Sequence, residues 1–309
     1  RALLYLGWLA YHPHMAATAT RGGPTGEFVY WADLTAGLIA IGYNITMVDT
    51  IQAFWREIKR ADTMYDIVLT DYDGLGTAEN TGDFPKEHCK YYIVDGFGTQ
   101  REFNDQRRRL DLRKILTPYP FDGSNTAINI MISTDWQSKW IPREKIGLLW
   151  AKDPKYLQRD HYAMLKMLSR IVPMHSFLTT LPADYHNILI NHNTVGRSDF
   201  IGYIQRAYFI IGIGSPVDGP TALEAIAHGC AYINPAKYPP VILPNKPNKR
   251  LYTSQHPYIE ENFGEPYAYT INITDLNSVS KTVRAILDAD PKPFIHPMNS
   301  AKGYVDNLN

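Results

Sequence analysis

Phe209-Ile-Ile-Gly-Ile-Gly-Ser-Pro-Val-Asp-Gly-Pro-Thr-Ala-Leu-Glu-Ala-Ile-Ala-His-Gly-Cys-Ala-Tyr-Ile-Asn-Pro235 is the stretch whose reading decides the fold. The apolar run from Tyr208 to Ile213 has the composition of a strand buried on both faces. Gly212 and Gly214 allow a tight turn after it. Pro220 suits the first turn of a helix, where its missing N–H has no partner to lose. Thr221 to His228 contains good helix formers, Gly229 sits at a helix C-cap position, and Cys230 to Ile233 starts the next strand. A turn of this kind aims free N–H groups and the positive end of a helix at an anion, typically a phosphate. Glu224 lies about one turn into that helix, within reach of a sugar hydroxyl on the same ligand. The alternative is that the glycines serve only the turn and that Glu224 is a solvated helix residue.

Outward from this unit, the chain has 309 residues and is 45% hydrophobic, enough for two domains with substantial cores. Lys plus Arg and Asp plus Glu balance at 31 each, which excludes a nucleic-acid footprint. The basic run Arg107-Arg108-Arg109 is offset by Asp105 and Asp111 and reads as a solvated face. Two cysteines, Cys89 and Cys230, do not make a disulfide framework, and Cys230 in its apolar strand is expected to be a buried free thiol. No run approaches the apolar length of a membrane span. The chain opens on Arg1 and reads as a piece of a longer protein. Asn44-Ile-Thr46 and Asn272-Ile-Thr274 match the N-glycosylation pattern, a weak pointer to a luminal setting.

In the first half, Ala2 to Trp8 reads as a buried strand, followed by His12-Pro13-His14. That histidine pair has no cysteine or third histidine beside it, which argues against a metal. Arg21-Gly-Gly-Pro-Thr-Gly-Glu27 is a second glycine-rich turn into a helix, with Phe28, Trp31, Leu34, Leu38 and Ile41 at helical spacing. Glu27 at the helix start is either a cap, stabilised there as an anion, or a catalytic base. Tyr43 to Val48 is a strand, Thr50 to Lys59 a helix and Asp66 to Thr70 a strand. Asp71-Tyr-Asp73-Gly74 could bind a divalent ion, but turn chemistry alone explains these residue types and is preferred. Tyr91 to Val94 is a strand leading into Asp95-Gly-Phe97-Gly-Thr99, where Phe97 either stacks on a sugar or joins the core.

Gln137 to Glu144 reads as a linker. Beyond it, Ile146–Trp150 and Val172–Phe177 are strands, and Lys155–Ile171 and Ser198–Arg206 are helices. Pro235 to Arg250 reads as a proline-rich loop, Ala268–Ile273 as the last strand and Leu276–Asp288 as a helix. Alternation of strand and helix throughout argues for parallel sheets with helices on their faces.

Three runs carry a resemblance: Gly22-Gly-Pro-Thr-Gly-Glu-Phe-Val-Tyr-Trp-Ala-Asp-Leu34, Asp95-Gly-Phe-Gly-Thr-Gln-Arg-Glu-Phe-Asn104, and Gly219 to Pro235 with Thr253-Ser-Gln-His-Pro-Tyr258. The chain resembles glycosyltransferase family 18 over nearly its whole length. The resemblance implies an α/β fold of the GT-B type, with two Rossmann-like doubly wound domains facing a cleft. It divides the chain into residues 1–143 on the acceptor side, 144–290 binding the nucleotide sugar, and a tail, 291–309, that crosses back. It implies inverting transfer of N-acetylglucosamine from UDP-GlcNAc to the 6-hydroxyl of an N-glycan mannose, without a metal or other cofactor. Glu27 would be the base. Gly219, Pro220, Glu224, Lys246, Thr126 and Asp218 would meet the donor, and Phe97 and Asp95 the acceptor. The segment 105–117 is short for the family and lacks a tryptophan found there, which leaves acceptor specificity open. The family also implies the Golgi lumen, as part of a type II membrane protein. Two rival readings are another GT-B enzyme with a different donor or acceptor, and a glycan-binding module without turnover.

Overall fold

The computed structural model describes residues 1–12, 14, 17, 26–60, 65–80, 90–99, 111–120, 123–132, 142–151, 153–214, 217–242 and 250–308. Among these residues the strands form two sheets. The first holds β1 (Ala2–Tyr5), β2 (Ile45–Val48), β3 (Ile67–Thr70), β4 (Tyr91–Val94), β5 (Ile115–Thr117) and β6 (Thr126–Ala127), in the order β2-β1-β3-β4-β5-β6. Every pairing in it is parallel. Helices α1 (Gly7–Tyr11), α2 (Gly26–Ala40), α3 (Ile51–Arg60) and α4 (Tyr72–Asn80) lie between its strands in the chain.

The second sheet holds β7 (Gly147–Trp150), β8 (Met174–Ser176), β9 (Ile190–Asn191), β10 (Phe209–Gly212), β11 (Ala231–Ile242), β12 (Leu251–Ser254) and β13 (Ala268–Ile271). Its parallel part runs β9-β8-β7-β10-β11-β13. That is the 3-2-1-4-5-6 order of a dinucleotide-binding sheet, whose order reverses between β7 and β10. Ligands in such sheets bind beyond the carboxyl ends of the strands at the reversal, which is where Gly212 leads into the glycine turn. Helices α5 (Arg159–Leu168), α6 (Arg197–Arg206), α7 (Thr221–Ala227), α8 (Pro257–Asn262) and α9 (Leu276–Ala289) complete this half. Central β1 and β10 are buried along their whole length, as their continuous apolar runs require.

Several boundaries differ from the expected ones for local reasons. β1 stops at Tyr5, and Gly7 opens a short helix instead of prolonging the strand. Asp71 explains this: its Oδ2 accepts from the Trp8 amide at 2.9 Å, and its Oδ1 from the Gly74 amide at 2.8 Å. One carboxylate therefore caps two helices, and the expected turn at 71–74 is the start of α4. The proline-rich segment after Pro235 is not a loop up to Ile242. β11 leaves the parallel sheet at Pro235 and continues as an antiparallel ribbon with β12, pairing Val241 with Tyr252 and Ile242 with Leu251. Proline is tolerated there because this part of β11 has one neighbour and needs no second ladder.

The chain then returns to the first half. Asn299 donates from its side chain to the Ile130 carbonyl at 2.9 Å and accepts from the Ile132 amide at 2.8 Å. Helix α10 (Ala301–Leu308) lies against α2, with Leu308 and Tyr304 over Gly37. A single apolar cluster joins the halves: Tyr119, Ile130 and Ile132 from the first pack with Leu148, Ile210, Ala222 and Tyr258 from the second. Cys230 lies in it as a buried free thiol, its pKa pushed up by burial.

Two glycines predict opposite outcomes. A Cβ on Gly7 would stand 2.0 Å from the Gly74 amide nitrogen, backbone against backbone, whereas a Cβ on Gly202 in α6 meets nothing within 4 Å. Gly7→Ala should destabilise by at least about 3 kcal/mol, and Gly202→Ala should stabilise by up to about 1 kcal/mol. Urea unfolding of the two variants beside the parent checks both signs.

Candidate active site

The start of α2 meets the glycine turn of the second half. A Cβ placed on Gly26, the first residue of α2, would be 3.7 Å from Cδ of Pro220. Glu27 follows in the first turn of that helix and is half-buried. Tyr30, one turn further on, donates its hydroxyl to the Asp218 carbonyl at 3.3 Å. The Tyr30 ring also stands 3.3 Å from the Cβ position of Gly96, so the turn after β4 touches the same residue. Burial pushes the Tyr30 hydroxyl well above its ordinary range, and the charges of Glu27, Asp218, Asp33 and Glu224 push it further. The acid at the start of α2, the turn at 218–220 and the turn at 95–99 therefore surround one phenol.

The turn at 217–220 is held from behind. Gly214 turns the chain at φ +94, a conformation that suits glycine, and packs on Tyr156. Asp218 is also left-handed, at φ +56, a conformation Asp tolerates better than most residues. Asn234, fully buried at the end of the parallel part of β11, fixes the segment 254–256. Its Nδ2 donates to Ser254 Oγ, Thr270 Oγ1 and the His256 carbonyl, and its Oδ1 accepts from the His256 amide at 2.9 Å. That segment in turn grips the glycine turn: Gln255 Nε2 donates to the Gly214 carbonyl at 2.9 Å, and His256 Nε2 lies 3.1 Å from the Gly219 carbonyl. Burial lowers the His256 pKa to about 3, so the ring is neutral at pH 7. Its proton then sits on Nε2, facing the carbonyl, and Nδ1 accepts from the Ile259 amide. The 3.4 Å approach of Nδ1 to Asp218 Oδ1 is consequently not an ion pair. Tyr119, from the first half, packs on His256 and Tyr258 with ring centroids 5.1 and 4.8 Å away.

Glu224 is buried and ion-paired through Oε1 to Nη2 of Arg197, the first residue of α6. Asp33, on α2, is also buried and accepts from the Met131 amide at 3.0 Å. Burial raises its pKa to about 7; the Met131 hydrogen bond lowers it, Glu224 raises it and Arg197 lowers it. His228, one turn beyond Glu224, is lowered to about 4 by burial and by Arg197.

The remaining expected residues divide. Asp95 is buried, with Oδ1 accepting from the Phe97 amide at 2.9 Å and Oδ2 from the Thr99 hydroxyl at 2.8 Å. Its carboxylate ties together the turn that carries half-buried Phe97. Thr126 is exposed on edge strand β6 and donates its hydroxyl to the Arg113 carbonyl at 2.6 Å. Gly219 and Pro220 lie in the turn itself, and a Cβ on Gly219 would meet nothing within 4 Å. Lys246, Cys89 and the run 107–109 lie outside the described residues. Among the described residues no group of three His, Cys, Asp or Glu side chains is arranged to hold a metal ion. No described helix is long and apolar enough to cross a membrane.

Sequence reasoning missed Tyr30, Arg197 and the role of Asn234. Tyr30 carried a signal, three residues after Glu27 and so on the same helix face. Arg197 and Asn234 carried none, since their partners are far away in the chain.

Two parallel-rich α/β sheets of this kind, one in each half of the chain, are the arrangement of the GT-B fold of glycosyltransferases. Two solved glycosyltransferases share that fold. AviGT4, involved in avilamycin A biosynthesis, matches 99% of this chain and 95% of its own, with TM-score 0.57 and 12% identity. The glycosyltransferase from Rickettsia africae matches 99% and 93%, with TM-score 0.51 and 10% identity. A sequence model of glycosyltransferase family 18 matches residues 1–309, and the chain belongs to that family. It is 28% identical over 346 residues to the alpha-1,6-mannosylglycoprotein 6-beta-N-acetylglucosaminyltransferase of Caenorhabditis elegans, covering 95% of this chain and 51% of that protein. It is 25% identical over 352 residues to the Homo sapiens A form, covering 100% and 47%. The chain spans about half the length of these curated relatives.

The raised pKa of Asp33 makes a stability prediction. The folded state holds this proton up to pH about 7, whereas the unfolded chain releases it near the ordinary carboxyl value of 3.8. Between those values the folded state binds more protons, so stability falls as pH rises, and above about 7 the full cost is present. Asp33→Asn keeps an acceptor for the Met131 amide and removes the charge. Its stabilisation should be on the order of 4 kcal/mol at pH 8 and shrink towards zero near pH 4. Urea unfolding of parent and variant at the two pH values reads the difference.

Proposed function

We propose that this chain carries the catalytic core of an inverting transferase that moves N-acetylglucosamine from UDP-GlcNAc to the 6-hydroxyl of a mannose in N-glycans. The observation that carries the reading is the approach of Gly26 to Pro220, which sets the acid of α2 beside the turn at the reversal of the second sheet. The named relatives supply the donor sugar and the acceptor linkage. Among the described residues nothing lies within 4 Å of a Cβ on Gly219, which leaves the backbone there open to close approach by a ligand.

In this reading the mannose hydroxyl approaches from the side of the 95–99 turn, with Phe97 against a sugar face. Glu27 takes the hydroxyl proton as the oxygen forms its bond to the anomeric carbon. The bond to the diphosphate breaks on the opposite face, and UDP leaves with the electron pair. The anomeric configuration is therefore inverted. No metal is invoked; the backbone of the 217–220 turn and Lys246 stabilise the charge developing on the diphosphate. Glu224 accepts from the ribose hydroxyls. Asp218 shapes the turn through its left-handed backbone, and Thr126 is a weaker donor candidate. The site lies in the Golgi lumen, tethered by an anchor beyond this chain.

Two results test the proposal with a biantennary N-glycan acceptor and mass spectrometry of the product. Glu27→Gln should reduce transfer at least about 100-fold while UDP affinity, measured by calorimetry, stays near that of the parent. Full activity in that variant removes Glu27 from the mechanism, and UDP binding without turnover in the parent favours the glycan-binding module. Transfer by the parent should be unchanged in EDTA; loss that Mn²⁺ restores overturns the metal-free step.

A further inference from the structure

We propose that Arg197 is a positioning residue for the donor: its guanidinium fixes the Glu224 carboxylate so that the second oxygen faces the ribose diol of a uridine diphosphate sugar. This rests on the reading of Glu224 as the ribose acceptor. Three observations support it. Glu224 is 7% exposed at its side chain and is held through Oε1 by Arg197 Nη2, so one oxygen is assigned and the carboxylate plane has a fixed partner.

Arg197 is also misplaced for any service to its own helix. It is the first residue of α6, where the macrodipole disfavours a cation, and Asp199 in the same turn supplies the charge that the helix end prefers. The guanidinium reaches instead into a group of acids contributed by both halves. Its charge lowers the pKa of Asp33 on α2, which Glu224 raises.

His228 offers no substitute counter-charge. It stands one turn beyond Glu224, and burial with the nearby Arg197 keeps it neutral at pH 7. The planar fork of Arg fixes direction as well as charge, whereas Lys would neutralise Glu224 as a mobile point charge.

That distinction gives the experiment. UDP and 2′,3′-dideoxy-UDP are titrated calorimetrically into the protein, Arg197→Lys and Arg197→Met, with melting temperatures recorded for each. The parent should prefer UDP by about ten- to a hundred-fold, the range of hydrogen bonds to a charged group. Arg197→Lys should melt with the parent, yet its preference should fall below about three-fold, and its KM for donor should rise about ten-fold with kcat little changed. Arg197→Met should show the same loss of preference. A lysine variant that keeps the full preference overturns the proposal, because neutralising Glu224 would then be the whole role of Arg197. A parent that does not prefer UDP overturns the ribose reading of Glu224 itself, and the proposal falls with it.

Discussion

The contact between the start of α2 and the turn at 218–220 is the constraint on which the rest of the molecule depends. Gly26 against Pro220, and the Tyr30 hydroxyl on the Asp218 carbonyl, join elements nearly two hundred residues apart in the chain. Neither contact is strong alone. They hold because a continuous apolar cluster lies behind them, with Tyr119, Ile130 and Ile132 inserted among residues of the second half. Asn299 then ties the C-terminal segment back to the backbone at Ile130 and Ile132. Each half has apolar clusters of its own and the two share the one between them, so the separation between the acid and the glycine turn is set by packing.

That shared core makes the acids near it expensive. Asp33 and Glu224 are both buried, on opposite halves, and the charge of Glu224 raises the pKa of Asp33. Two solutions appear. Glu224 is paired with a cation, Arg197, brought to it from another helix. Asp33 has one backbone donor, and burial lifts it until neutral and charged forms are balanced near pH 7. A buried charge with no partner would cost more than either arrangement. Placing both acids in the seam is therefore a sacrifice of stability, of the kind expected where a polar ligand is handled.

The architecture was legible in the sequence because its signals are local. The buried strand at 208–213, the helix from 221 and the C-cap at Gly229 could each be read from residues within a few positions, and β10, α7 and the positive φ of Gly229 follow them closely. What failed was decided at a distance. Asp71 ends β1 early because its carboxylate caps a helix opened by Gly7, which no window around Ala2 to Trp8 contains. β11 continues through prolines because its other neighbour has ended, a fact of sheet topology that composition conceals. The two hydrogen bonds by which Asp95 ties its own turn, from the Phe97 amide and the Thr99 hydroxyl, were not read from the sequence either.

The glycine turn also explains why the run Thr253 to Tyr258 differs so much from ordinary loop sequence. A group that stabilises developing charge without a metal must already point the right way, because reorienting a dipole during the reaction forfeits most of its value. Asn234 holds the 254–256 segment with three hydrogen bonds, two donated and one accepted. Gln255 and His256 pass that rigidity to the carbonyls of Gly214 and Gly219. A neutral His256 suits this task better than a charged one. An imidazole with its proton on Nε2 restrains the Gly219 carbonyl and, being neutral, adds no net charge beside the turn. The burial that depresses this histidine is thus what makes it a fixed support, and the same burial requires the small, fully hydrogen-bonded set Asn234, Ser254 and His256 in place of larger polar residues.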